Sequence, residues 1–596
     1  MKYREEHPRP ELSRPEWMSL NGEWEFEIDN KMIGKYEGYE KRSSLSGKIN
    51  VPFCPESKLS GVEYTGFMYA VWYRRELDVP SSWRKKRIIL HFGACDYETT
   101  VYINGREVGK HLGGYTPFSF DITDFLKDDG NYVTVHAEDD MTSSLQMSGK
   151  QSKKRESYGC FYTRTTGIWQ TVWLEAVSEA HVLRYSTAAD LENSTVTLTV
   201  DLTDEAIGKE LRAVAEYREK NMGEVRTRVN SRRVTVSIKL SELHLWELGR
   251  GELYQLLLTL SDTNVEDAVF GYFGMREIAL KRDGMYLNGK RVYGRFVLDQ
   301  GFYPDGIYTA PTAKALEDDI RAAMSLGFNG ARLHQKVFEP RYLYYADIMG
   351  FMVFGETPNW GLDWTRSENI YRFLPEWLEE LNRDMMHPSL IGWCPFNETW
   401  DIDGRAQSWE LINSIYDITR SIDPTRIIVT NSGSYPTTVE KNDKSDAHDV
   451  HDYEQNPEKF KEYYSHTKNG VVMCQLYREN PERQWYDPKK PIFVSEYGGI
   501  KWTGEAHNTE NPEIDVPNST EAWGYGESVR TENDYLTRLE GLTDVLIEND
   551  DIFAFCLTQL TDVEQEQNGL MTYDRKFKFS PEKIARIIAK PAKFER

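Results

Sequence analysis

Two stretches of this chain end an apolar, β-prone run in a glutamate. Leu390-Ile-Gly-Trp-Cys-Pro-Phe-Asn-Glu398-Thr-Trp400 delivers Asn397 and Glu398, and Pro491-Ile-Phe-Val-Ser-Glu496-Tyr-Gly-Gly499 delivers Glu496. Two carboxyl groups set against one acetal can hydrolyse it, one giving a proton to the leaving oxygen and the other meeting the oxocarbenium-like carbon. A separation of about 5 to 5.5 Å works with retention and one of about 6.5 to 9.5 Å with inversion. The sequence supplies the reaction class and leaves the stereochemistry open. Among 95 acidic residues a single glutamate after an apolar run says little. Two of them, each at the tip of a strand and bordered by aromatic and small residues, say more.

The elements that must position this pair lie in residues 278–596, where short apolar runs alternate with helical patterns, the signature of a parallel sheet wrapped by helices. Eight runs are predicted: Val292 to Gln300, Gly330 to His334, Phe351 to Glu356, Leu390 to Phe396, Arg426 to Asn431, Asp446 to Tyr453, Ile492 to Ser495 and Ile552 to Leu557. Helices are predicted over Ala313 to Leu326, Pro340 to Met349, Glu368 to Met386 and Ser408 to Ile422. Eight such units predict a (β/α)₈ TIM barrel, whose active site lies at the carboxyl ends of the strands. Read there, the runs present Asp299, Arg332 with His334, Glu356, Asn397 with Glu398, Asn431, His451 with Tyr453, Glu496, and Gln559 with Asp562. Tyr453 is the candidate partner of Glu496. Asp299, Arg332, His334 and His451 are candidate sugar ligands, and Trp360, Trp364 and Trp400 are candidate stacking surfaces.

Upstream, residues 1–179 read as strands without a helix of ordinary length. Leu20 to Ile28, Val71 to Val79, Arg87 to Phe92, Thr99 to Val108 about Asn104-Gly105, Tyr115 to Phe125, Tyr132 to Ala137 and Gly167 to Val177 fit a jelly-roll β-sandwich. Glu138 to Glu156 does not read as strand and is long for a loop, which makes it a solvated segment or one that reaches over an active site, with Lys150 as its reaching side chain. Residues 180–277 carry evenly spaced strands at His181 to Ala188, Ser194 to Leu202, Leu211 to Tyr217, Arg233 to Leu240 and Tyr254 to Leu260, which predict an immunoglobulin-like β-sandwich acting as a spacer.

At 596 residues the chain exceeds one core. Its net charge of −23 repels nucleic acid and anionic membranes, so neither is an expected partner. Six scattered cysteines, Cys54, Cys95, Cys160, Cys394, Cys474 and Cys556, show no metal or disulfide spacing and read as free thiols of a reducing compartment. With no apolar h-region at Met1 to Pro10 and no spanning run, a cytoplasmic protein is expected. A small carbohydrate is the expected partner. A homo-oligomer is compatible with the sequence, which fixes no number of subunits.

The motifs Leu20-Asn-Gly-Glu-Trp, Tyr102-Ile-Asn-Gly, Gly167-Ile-Trp-Gln-Thr-Val-Trp-Leu-Glu, Leu287-Asn-Gly-Lys, Arg383-Asp-Met-Met-His-Pro-Ser, Asn397-Glu398 and Ser495-Glu496-Tyr-Gly resemble glycoside hydrolase family 2 over nearly the whole chain. That is the family of bacterial β-galactosidases, β-glucuronidases and β-mannosidases. The resemblance implies a retaining exo-β-glycosidase with Glu398 as acid/base, Glu496 as nucleophile and Asn397 on the sugar 2-hydroxyl. The alternating proton roles then predict a Glu398 carboxyl raised in pKa beside an ionised Glu496. Glucuronide-specific relatives carry an Asn-x-Lys late in the barrel, and here Gln567-Asn-Gly-Leu-Met-Thr-Tyr-Asp574 has no lysine two places after Asn568. The metal-dependent β-galactosidases carry a Glu-x-His after the third strand where this chain has Glu356-Thr-Pro, so no required metal or other cofactor is expected. A β-galactosidase-like enzyme leads. β-Glucuronidase, β-mannosidase and arabinosidase are the alternatives within the family, and a catalytically silent carbohydrate-binding protein is the alternative of another class.

Overall fold

The computed structural model describes residues 4–433, 444–467, 486–502 and 521–596. Its centre is an eight-stranded parallel barrel: β1 (Gly294–Asp299), β2 (Gly330–Leu333), β3 (Met352–Glu356), β4 (Leu390–Cys394), β5 (Ile427–Ile428), β6 (His448–Asp452), β7 (Ile492–Gly498) and β8 (Ile552–Thr558). The strands pair in the order β5-β4-β3-β2-β1-β8-β7-β6, and the ring closes where Asp446 N donates to Ile428 O at 2.9 Å.

Side-chain alternation along these strands divides the core in two. Phe296, Phe354, Phe493 and Phe553 point inward, with ring centroids 5.3 to 5.8 Å apart between Phe296, Phe354 and Phe493 and 5.5 Å between Phe493 and Phe553. Val297, Ala331, Leu333, Val353, Val450, Val494 and Phe555 pack outward against the helices. The antiparallel ribbon Ile278–Lys281, Gly284–Leu287 and Lys290–Val292 adds Ile278, Met285 and Leu287 to the inward cluster and closes that end. Polar side chains are therefore confined to the other mouth. The helices end as their sequences require: Thr312 accepts from Ala315 N ahead of Ala313–Ser325, Ser408 accepts from Leu411 N ahead of Trp409–Ile422, and Gly350 at φ 67° stops Pro340–Met349.

Ahead of the barrel, a six-stranded and a four-stranded antiparallel sheet form the jelly roll, from Trp17–Ser19 to Val172–Val177. The hairpin at Asn104-Gly105 has φ of 53° and 74°, the left-handed pair that a two-residue turn needs. The predicted strand from Tyr115 to Phe125 shortens to Phe118–Asp121, because Gly114 to Thr116 turns to face the barrel, where Tyr115 N donates to Glu376 at 2.7 Å. The immunoglobulin-like sandwich holds three plus four strands. Two of them, Lys220–Arg228 and Val265–Phe273, lie outside the predicted set.

Cys54, Cys95, Cys394 and Cys556 are free and buried, and Cys160 is free and partly exposed. Cys474 lies outside the described residues. Among the described residues no helix is long and apolar enough to cross a membrane.

Candidate active site

Arg332 on β2 is the hub of the barrel mouth, 1 % exposed. Its Nε donates to Glu356 Oε2 at 2.7 Å, Nη1 to Glu496 Oε1 at 3.0 Å and to Ser495 O at 3.3 Å, and Nη2 to Asn397 Oδ1 at 2.5 Å. One inward-facing arginine thereby fixes groups from β3, β7 and the turn after β4. Glu356 is fully engaged, since its other oxygen accepts from Gln335 N at 3.1 Å and lies 3.0 Å from His334 Nδ1.

Glu496 is nearly closed off, its side chain 6 % exposed against 22 % for Glu398. Besides Arg332 it accepts a hydrogen bond from the Tyr453 hydroxyl on Oε2. That hydroxyl also lies 3.1 Å from Thr558 Oγ1, and its ring stacks on Tyr525 with centroids 3.6 Å apart. Burial and the charge of Glu496 push the Tyr453 phenol well above its usual range, so it stays a donor.

Glu398 sits just past β4 in the left-handed region, φ 46°, uncommon for a side-chain-bearing residue. Its N–H donates to Ser432 O at 2.8 Å and holds the turn. The carboxylate meets His451 Nδ1 at 2.7 Å, and the same nitrogen is 3.4 Å from Glu496 Oε2. One oxygen from each glutamate and the imidazole nitrogen thus lie within 4.8 Å of one another.

The expected rise in the Glu398 pKa is overturned. Burial acts upward, but the hydrogen bond and charge of His451, with Lys150 and Arg332 behind it, hold the carboxyl below its usual range. Burial acts downward on His451, and the Glu496 charge with the Glu398 hydrogen bond outweighs it and raises the imidazole. These opposite shifts favour a charged imidazole beside an ionised Glu398. His334 is driven the other way, well below its usual range, by burial and the Lys150 cation, and its ring is neutral.

Asn397 is fully buried and held on all sides but one. Its N–H donates to Asn359 Oδ1 at 2.9 Å, and its carbonyl accepts from Asn359 Nδ2 and Trp360 Nε1, each at 3.0 Å. An arginine can only donate, so the contact with Arg332 fixes Oδ1 toward the guanidinium. Among the described residues the amide nitrogen is the end left buried without a partner.

The other candidates divide. Asp299 turns aside: its oxygens accept from Gly301 N at 2.9 Å and the Tyr342 hydroxyl at 3.3 Å. Trp360 touches the site through its indole nitrogen, and the Lys150 ammonium covers its ring at 4.1 Å. Trp364 is buried against Phe373 and Phe396. Trp400 is 41 % exposed on the turn beyond Glu398.

Sequence reasoning did not reach Glu566 or Tyr525. Both stand on segments whose path is set by the jelly roll: Trp523 Nε1 and Gln565 Nε2 donate to Gly159 O at 2.7 and 2.8 Å. The long segment from Glu138 to Glu156 does reach the barrel mouth. Ser148 N donates to Trp360 O at 2.6 Å, and Gly149 N bridges Pro358 O and Trp360 O, each at 3.1 Å. Among the described residues, Glu398, His451 and Glu496 are the one group whose ligand atoms could surround an ion.

Comparison with known proteins agrees with this architecture. Residues 17–175 match the model for the sugar binding domain of glycosyl hydrolases family 2, 180–276 that of glycosyl hydrolases family 2, and 278–580 that of the family's TIM barrel domain. A β-galactosidase of Thermoanaerobacterium thermosulfurigenes is 28 % identical over 434 residues, covering 68 % of this chain and 57 % of that protein. A β-glucuronidase of Streptococcus agalactiae serotype V is 23 % identical over 534 residues, covering 83 % and 84 %. The chain spans about half the length of the β-galactosidases it matches. In fold it superimposes on a β-glucuronidase from Ruminococcus gnavus in complex with D-glucuronic acid, with a TM-score of 0.76 and 20 % identity over 99 % of this chain and 100 % of that one. With the TIM barrel model alone matching more than half of its length, the chain belongs to glycosyl hydrolase family 2.

Proposed function

We propose that the chain is a retaining exo-β-glycosidase that removes terminal β-linked neutral sugars, β-galactosides foremost, from oligosaccharides or glycosides. The observation that carries this reading is that one carboxyl oxygen of Glu398 and one of Glu496 lie within 4.8 Å of each other, which supports the short carboxyl separation of double displacement over the roughly 6.5 to 9.5 Å of inversion.

The roles follow from the surroundings of each glutamate. Glu496 is pinned by Arg332 and Tyr453, which aim a buried carboxylate at the anomeric carbon. Glu398 is the more open of the two and is the one bonded to the proton-bearing His451, as the group facing the departing oxygen must be. In the first step Glu496 attacks C1, the C1–O bond breaks, and the leaving oxygen takes the His451 proton relayed through Glu398, which is left ionised beside a neutral imidazole. In the second, Glu398 accepts a proton from water as the water displaces Glu496. The unpartnered Asn397 amide nitrogen donates to the sugar 2-hydroxyl, a contact that tightens as charge develops.

The preference for a neutral sugar is supported by Glu566, a third buried carboxylate whose charge is felt by Lys150 and which lies in the field of Glu496. A sugar carboxylate would meet it unfavourably, and no lysine follows two places after Asn568. β-Glucuronidase is the second reading, favoured by the coverage of the streptococcal enzyme. β-Mannosidase and arabinosidase activity are further outcomes of the same screen. The boundaries 1–179, 180–277 and 278–596 are proposed for the three units. The cytoplasm is proposed as the compartment, since five cysteines are free and four of those are buried.

A screen of nitrophenyl glycosides across sugar, anomer and ring form tests the reading. Hydrolysis of the β-galactoside is expected, with retention at C1 by proton NMR. Glu496→Ala should abolish turnover, while Glu398→Ala should still be glycosylated by dinitrophenyl substrates and be rescued by azide. Undiminished turnover by Glu496→Ala would sink the assignment.

A further inference from the structure

Lys150 is a charged residue at the barrel mouth that the steps above leave without a task. It comes from the jelly roll. Its ammonium lies over the Trp360 ring at 4.1 Å, and the residue is 7 % exposed. Among the described residues no side chain or carbonyl accepts a hydrogen bond from it. An ammonium on a mostly buried side chain, with no protein acceptor among the described residues, is open to a ligand oxygen.

Its position is imposed by the backbone on both sides. Gly149 N is tied to Pro358 O and Trp360 O, and Tyr162 N donates to Lys150 O at 2.7 Å. The ammonium lies over the ring of Trp360, whose Nε1 donates to Asn397 O at 3.0 Å, and the charges of Glu566, Glu398 and Glu496 act on it.

Glu566 complements it from the barrel side. The residue is 3 % exposed and lies on the turn that Glu566 N closes onto Val563 O at 2.9 Å. Oε2 accepts from the Tyr162 hydroxyl at 2.5 Å and Oε1 from Asn568 Nδ2 at 3.1 Å. Each carboxylate oxygen can accept a second bond. Thr163 N on Glu564 Oε1 at 3.1 Å and Gln565 Nε2 on Phe161 O at 3.0 Å lock this turn to the jelly roll.

We propose that Lys150 and Glu566 bind the sugar's 3- and 4-hydroxyls, the lysine donating to them and the glutamate accepting from them, a role that rests on the glycosidase reading above. The ring is held at C1 by Glu398 and Glu496 and at O2 by Asn397. Trp360, which carries Lys150 on its face, is bonded to the Asn397 carbonyl, so the next hydroxyls around the ring fall to Lys150 and Glu566. The class of sugar is a neutral pyranoside with a free vicinal diol at these positions. Selectivity is then set at the seam between jelly roll and barrel, not by the barrel alone.

The test uses the full chain and the nitrophenyl glycoside that the wild type turns over, beside its 3-deoxy and 4-deoxy counterparts. Lys150→Met and Glu566→Gln are each expected to lower kcat/KM on the parent sugar by roughly ten- to a hundredfold. On the deoxy sugar that lacks the contacted hydroxyl the loss should shrink to near unity, and Lys150→Arg should recover part of the activity. Equal losses on the parent and both deoxy sugars would make Lys150 a prop for the Trp360 segment and overturn the proposal. Should Lys150→Met fail to fold, Glu566→Gln on the same three substrates decides the matter by the same criterion. A wild type that hydrolyses no glycoside in the panel refutes the glycosidase reading itself, and that result is seen before any variant is compared.

Discussion

Arg332 decides which end of the Asn397 amide meets the substrate. Its Nη2 donates to Oδ1 at 2.5 Å, and the amide nitrogen on the other side is buried with no acceptor among the described residues. A donor held in place before the substrate arrives needs no reorganisation as charge builds on the sugar. Asn397→Ala should therefore lower kcat/KM by roughly 10² to 10³ on a glycoside with a 2-hydroxyl. On the 2-deoxy analogue the variant and the wild type should fall close together. An equal loss on both substrates would mean that Asn397 serves only to anchor Asn359 and Trp360.

His451 should leave its mark on the pH profile. The imidazole is raised above its ordinary value of 6.5 and Glu398 is lowered below 4.5, so in the free enzyme the pair carries its proton on the ring. The alkaline limb of kcat/KM reports the loss of that proton and is expected above pH 6.5. In His451→Asn the carboxyl must hold the proton alone, and the alkaline limb should move to lower pH while kcat falls. An alkaline limb that stays in place would assign it to another group.

Much of this was legible in the residues, for reasons that are physical. The barrel strands are apolar runs that stop at a charged or amide side chain, and seven of them begin and end within about two residues of the reading or extend it. The fifth shortens to Ile427–Ile428, and its pairing with the β4 side resumes in the same register only at Ser432 opposite Asn397. Lys220–Arg228 escaped because its outward residues Lys220, Glu224, Arg226 and Arg228 are exposed and charged, with little apolar alternation to see. At the site, the strand positions of Arg332, Tyr453 and Glu496 followed from the pattern. The place of His451 between two carboxylates did not, since it depends on the angle at which β6 meets β7. Glu566 and Tyr525 depend on contacts with Gly159 and Phe161 far away in the chain, which no local pattern encodes.

Gly149 sets the reach of the jelly-roll segment. Its φ is 53°, and a Cβ there would stand 2.5 Å from Gln335 O and 2.9 Å from Pro358 Cβ. Neither neighbour is a flexible side-chain tip. Gly149→Ala must displace the segment and with it Lys150, at a cost of about 1 to 3 kcal/mol. A rise in KM of roughly tenfold is expected from the loss of the lysine's contact, with a small drop in the melting midpoint. Unchanged KM with a lowered midpoint would separate the segment's structural part from any part in binding.

Glu376 offers a test of the contact between jelly roll and barrel that is independent of catalysis. The residue sits on the barrel helix Ile370–Asp384 and is 2 % exposed. Oε1 accepts from Tyr115 N at 2.7 Å, and among the described residues Oε2 is buried without a partner. Burial pushes its carboxyl up to about 8, against the hydrogen bonds from Tyr115 and Gly114 and with the charge of Glu379 adding to the rise. The folded chain thus keeps this proton up to about pH 8, whereas the unfolded chain loses it near 4.5. Between those values the unfolded state binds fewer protons, so stability falls as pH rises, by up to about 1.4 kcal/mol per unit from this group. Glu376→Gln keeps the acceptor for Tyr115 and never ionises. Its melting midpoint should match the wild type near pH 4 and exceed it progressively toward pH 8. A midpoint difference that does not change with pH over this range would show that the Glu376 carboxyl is ionised in the folded protein.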